Sequence, residues 1–112
     1  MATITLRRIE SISRDPWLRA VAADYTLPEG HASVFVGWGL HDERIAFWIH
    51  PDGSGFGAVD GDPEGYVKSS KAMSEERFDD VTHPGVDEWE FEPGQFDPLA
   101  ETIEFDARSS LF

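Results

Sequence analysis

The nineteen residues "ASVFVGWGLHDERIAFWIH" (32–50) decide the fold. Two apolar runs, 32–40 and 44–50, are separated only by "HDE". In each run the residues between the alternating apolar positions are largely apolar too. That is the composition of strands covered on both faces, or of a barrel wall, rather than of strands with one wet side. A three-residue gap is too short for a crossover helix, so the two runs form an antiparallel hairpin.

Working outward, "TITLRRIES" (3–11) alternates Ile4 and Leu6 with polar residues and reads as a half-buried strand. Asp15-Pro16 supplies an N-cap followed by proline at the first helical position. Trp17, Leu18, Val21, Ala22 and Tyr25 then form one apolar stripe, and the helix should end before Pro28. Beyond the hairpin, "FGAVD" (56–60) is a third strand of this sheet region, and "GYVKS" (65–69) reads as a fourth. "MSEERFDDVTH" (73–83) has Ser74 as N-cap and Glu75 and Glu76 in its first turn, so it reads as a surface helix. "DEWEFE" (87–92) and "ETIEFD" (101–106) alternate strictly, with Trp89, Phe91, Ile103 and Phe105 inward and carboxylates outward. The expected fold is α+β: one domain over 1–112, a twisted antiparallel sheet of about five or six strands with one or two short helices on one face.

There is no cysteine, which removes disulfides, thiolate metal sites and thiol nucleophiles together and fits a reducing, cytoplasmic setting. The N-terminus has no apolar core of a signal peptide, and no apolar run approaches membrane-spanning length. The chain is expected to be a complete small protein.

The formal net charge is −13, which disfavours nucleic acid and anionic membrane as partners. Its layout says more. Residues 1–41 are neutral, residues 42–74 carry −3, and residues 75–106 carry −11, with Arg77 as their single base. Adaptation to salt would spread acids over the whole surface, so a localised acidic face is the better reading. The bland alternative is a solvated face that serves solubility. If the two acidic strands paired, like charges would stand side by side at a cost to the sheet.

Most motifs that promise chemistry fail on inspection. "DGDPEG" (60–65) matches the first half of a calcium loop, but the twelfth position from Asp60 is Lys71, a cation where a bidentate carboxylate is required. "DGSGFG" (52–57) lacks the lysine and the following helix of a phosphate loop. Asp-Gly at 52–53 and at 60–61 reads instead as turn chemistry. None of His31, His41, His50 and His83 has helical metal-pair spacing. His50 with Asp52 resembles a divalent-metal pair that Asp60 or Asp62 would complete, although a structural role for His50 is the stronger reading. No nucleophile elbow precedes a helix. Trp17, Trp38 and Trp48 read as core, with a pocket near His50, Trp48 and Trp38 as the alternative.

The function that these features favour is a small acidic interaction protein, without enzymatic activity, metal or cofactor. It would bind and inhibit a basic protein partner, such as a toxin domain, in the way of bacterial immunity proteins and antitoxins. The expected contact set is Asp79, Asp80, Asp87, Glu88, Glu90, Glu92, Glu104 and Asp106. The alternatives are a small-molecule-binding or enzymatic domain with its pocket near His50 and Trp48, and an acidic structural or viral protein from a saline environment.

Overall fold

A computed structural model describes residues 3–27, 32–65, 67–68 and 86–106. The elements run β1 (Thr3–Ile9), α1 (Pro16–Asp24), β2 (Ser33–Trp38), β3 (Arg44–Ile49), β4 (Gly55–Asp60), β5 (Val86–Phe91) and β6 (Thr102–Asp106). The six strands form one antiparallel sheet in the order β5-β4-β3-β2-β1-β6, so the fold is α+β. The hairpin of 32–50 is its centre, as its two-sided apolar composition requires.

Register sorts the central strands into two faces. Phe35, Ile45, Phe47, Ile49 and Val59 point to one face, where they are buried with Ile4, Leu6, Phe91 and Ile103. Ala46, Trp48 and Ala58 point to the other and are buried under Trp17, Leu18, Val21 and Ala22 of α1. Ala46 and Ala58 are register partners, and their small side chains leave room for the helix at the middle of this outer face. The helix forms as its sequence dictates: Asp15 is the N-cap, accepting from the Leu18 N–H at 3.1 Å, and Pro16 follows in the first turn.

The sheet curls strongly about its inner face. Phe47 on β3 and Phe105 on β6 are three strands apart, which in a flat sheet is about 14 Å. Their ring centroids nevertheless lie 5.5 Å apart. On the other side the Phe91 ring approaches Phe47 to 4.7 Å, lying over Gly57. Both rims therefore bend toward the same central phenylalanine, as in a barrel that stops short of closing. Glycines stand on the inner radius where this bending crowds the backbone: a Cβ on Gly57 would meet Phe91 Cζ at 2.7 Å, and one on Gly37 would meet Leu6 Cδ2 at 2.6 Å.

The connection from β5 to β6 must travel between opposite edges of the sheet, and it does so over the β3–β4 turn. That turn is three residues closed by a glycine at φ +86°: Gly53 N–H donates to His50 C=O and His50 N–H donates to Ser54 C=O. Gly94 N–H then donates to Asp52 C=O at 2.7 Å, and Phe96 N–H donates to Gly53 C=O at 3.2 Å. The chain crosses so closely that a Cβ on Gly53 would meet Gly94 N and Phe96 O at 2.7 Å. Phe96 itself closes the inner core, edge-on to Phe91 at 4.8 Å and 5.4 Å from Phe47.

Several expectations need correction. The described residues of "GYVKS" are not a strand: residues 63–65 and 67–68 are helical. Asp62 caps this turn by accepting from Gly65 N–H at 3.0 Å, with Pro63 next to it, so Asp62-Pro63 repeats the helix start of Asp15-Pro16. Asp60-Gly61 is accordingly a strand-to-helix junction and not a hairpin turn. The acidic strands β5 and β6 occupy opposite edges of the sheet, so the like-charge cost that their pairing would carry does not arise. The helix expected at 73–83 lies outside the described residues.

Candidate functional site

The eight carboxylates expected to meet a partner distribute as follows. Asp79 and Asp80 lie outside the described residues. Asp87, Glu88 and Glu90 belong to β5, Glu92 follows it directly, and Glu104 and Asp106 belong to β6. Glu88 pairs with Ala58 and Glu90 with Phe56, which assigns both positions to the outer face; Glu90 is exposed. Asp87 pairs with Val59 and occupies an inner-face position at the strand's start, so strict alternation separates it from Glu88 and Glu90. On the other rim Glu104 pairs with Thr5 and Asp106 with Thr3, both outer-face positions, and Glu104 is exposed. Glu90 and Glu104 are thus exposed on the same convex surface, one at each rim of the curled sheet.

A second constellation was not foreseen. At one end of the sheet a register row crosses three strands, from Trp38 on β2 to Arg44 on β3 to Asp60 on β4. Trp38 is 58% exposed, against the expectation that it belongs to the core. It stands at the last position of β2, outside the apolar cluster under α1, and the Arg44 guanidinium covers its ring at 5.0 Å. The same guanidinium donates from Nη2 to Asp15 Oδ2, which ties the row to the start of α1. Asp60 is only 2% exposed, yet both its oxygens are satisfied: Trp17 Nε1 donates at 3.1 Å and Asp62 N–H at 2.8 Å. This carboxylate locks α1 and the turn after β4 onto the sheet, since a buried carboxylate stripped of its donors would carry its full desolvation cost. The Asp-Pro pair at 62–63 and the polar residue ending an apolar strand were the signals for it.

The pocket anticipated near His50, Trp48 and Trp38 is not assembled. Trp38 pairs with Arg44 at one end of β3, His50 follows the other end, and Trp48 is buried under α1. The separation also divides the divalent-metal set considered in the sequence. His50 and Asp52 sit at the β3–β4 turn, while Asp60 and Asp62 lie at the far end of β4, about 17 Å away along the strand. Among the described residues no group of three His, Asp or Glu side chains converges as metal ligands. Asp52 is instead a turn organiser: Ser54 Oγ and Ser54 N–H both donate to its Oδ1, and these hydrogen bonds hold the carboxyl below its usual value, with a smaller contribution from His50.

A groove of about 760 Å³ opens where β1 and β2 meet that turn end, between Arg7, Arg8, Ser33 and Thr102, with Trp48 and Ile12 at its floor. Neither arginine has an ion pair among the described residues, although Glu10 and Glu101 line the same groove. No helix of the described chain is long and apolar enough to cross a membrane. In comparisons with known proteins, no family model matches this chain, and no curated protein or solved structure is significantly similar to it.

Proposed function

We propose that this chain is a small acidic interaction domain that binds and inhibits a basic protein partner, in the manner of bacterial immunity proteins and antitoxins. The observation that carries this reading is the −11 charge of residues 75–106, part of which is carried by β5 and β6 at the two opposite edges of a curled sheet. Glu90 and Glu104, one on each rim, are exposed on the same convex surface. Like charges gathered this way repel one another in the free protein, and a cationic partner relieves that repulsion while the field steers its approach. The strands and buried phenylalanines behind Glu90 and Glu104 fix the backbone that carries them, so little backbone ordering is left for binding.

The test uses the product of the reading frame next to the one encoding this chain. Co-expression should protect a host from that product, and the purified pair should associate with an affinity that falls steeply between 50 and 500 mM salt, a range over which the screening length changes about threefold. The triple variant Glu88→Lys, Glu90→Lys, Glu92→Lys should weaken association and flatten its salt dependence. A neighbouring product that is neither toxic nor bound sinks the proposal.

A second reading is favoured by one observation, the groove beside Arg7 and Arg8. It would make the chain a binder of a small anionic ligand, with Arg7, on the same sheet face as Trp48, as its counter-charge. Titration calorimetry with citrate and inorganic phosphate tests it, and no heat at millimolar ligand removes it.

A further inference from the structure

The β2–β3 hairpin ends in "WGLHDER" (38–44), and its tip holds two large apolar side chains in solvent: Trp38 and Leu40, each 58% exposed. Neither is on a loose segment. The hairpin closes through Gly39 N–H to Glu43 C=O at 2.8 Å, and Asp42 takes the left-handed conformation at φ +61°. A non-glycine residue in that region carries strain, held here by the turn. The Glu43 side chain folds back beside Gly39 and accepts from His41 N–H at 2.9 Å, so the turn is braced from both ends. Leu40 is thereby presented at the crest of an ordered turn.

Trp38 is held more firmly still. Its ring rests on the Arg44 guanidinium, Arg44 is paired with Asp15, and Asp15 is fixed as the cap of α1 by the Leu18 N–H. An exposed indole braced through three fixed groups loses little freedom on burial, which is what makes tryptophan the commonest anchor of protein interfaces. Charge identifies what it meets. Asp42 and Glu43 belong to the same hairpin tip, the exposed Asp62 and Glu64 follow β4 at the same end of the sheet, and the cation of the row, Arg44, is already neutralised by Asp15.

We propose that this tip is the centre of the docking surface for the basic partner. Trp38 and Leu40 enter an apolar recess on that partner, and Asp42, Glu43 and Asp62 receive the cations around it. The inference rests on the interaction reading above and shifts its contact centre from the β5 and β6 rows, which then steer encounter, to the β2–β3 hairpin. Deletion of the indole should act on dissociation, and loss of the acidic rows on association.

The experiment measures binding of the purified neighbouring-frame product to the full chain and its variants by surface plasmon resonance. Trp38→Ala should weaken binding about thirty-fold or more through faster dissociation, with the melting temperature lowered by only a few degrees because the ring is outside the core. Trp38→Phe should recover part of the loss and Leu40→Ala should lose several-fold. If Trp38→Ala and Leu40→Ala bind within threefold of the parent while Glu88→Lys, Glu90→Lys, Glu92→Lys does not, the hairpin is not the docking centre and the interaction reading stands. If the parent chain itself does not bind, both fall.

Discussion

The curl of the sheet has a consequence that can be read in the sign of a stability change. Gly57 lies on the inner face of β4 between Phe47 on β3 and Phe91 on β5. A Cβ there would lie 2.7 Å from Phe91 Cζ and 3.1 Å from Phe47 Cδ1 and Cε1, against an ordinary carbon–carbon separation of about 3.5–4.0 Å. One ring or the strand must shift by about 0.8 Å. Phe47 has little room to give, since it is fully buried and also faces Phe96 and Phe105. Overpacking of this kind costs about 1–3 kcal/mol. The change from glycine to alanine by itself works the other way, stabilising by about 0.4–1 kcal/mol through the unfolded chain. Gly57→Ala should therefore be destabilised by about 1–2 kcal/mol net, a fall of roughly 5–10 °C in melting temperature for a domain of this size. Gly61→Ala is the matched control, because a Cβ there meets nothing within 4 Å, and it should be neutral or slightly stabilised. Urea unfolding followed by tryptophan fluorescence gives both values. If Gly57→Ala proves as stable as Gly61→Ala or more so, Phe91 does not lie over Gly57 and the curl as described is wrong.

Trp17→Phe keeps the apolar bulk under α1 but removes the indole donor from buried Asp60; it should cost about 1–3 kcal/mol in chemical denaturation. Asp15→Ala loses the helix cap and the anchor of Arg44 together, for about 1–2 kcal/mol, and should shift the emission of exposed Trp38 as Arg44 loosens over it. The Asp52 carboxyl is held below its ordinary 3.8 by the Ser54 hydroxyl and amide. Because the folded value is the lower one, the stabilisation is complete above 3.8 and drains as pH falls through the folded value. Carbon-detected NMR titration should place the Asp52 midpoint below 3.8 and show Ser54→Ala moving it upward; an unmoved midpoint removes the assigned cause.

What was legible in the sequence was set by short-range physics. Alternation and cap chemistry are local: Ile4 and Leu6, Glu90 and Phe91, Ile103 and Glu104 face as their period of two requires, and Asp15-Pro16 opens α1. The same chemistry at Asp62-Pro63 opens the helical turn that follows β4. Trp38 misled because composition does not say where a strand ends relative to the helix above it. The last residue of β2 falls outside the apolar cluster under α1, so an indole that looks like core stands in water.

The sequence by itself determined the α+β class, the central hairpin, the first helix and the acidity of the C-terminal third, all properties of neighbouring residues. Only the tertiary structure decided that β5 and β6 lie at opposite rims, that Phe47 draws those rims together, and that residues 92–101 cross over Gly53. It alone brought Trp38, Arg44 and Asp15 into one braced cluster. Strand order and curl follow from which apolar faces bury one another across the whole chain, and no window of adjacent residues contains that balance.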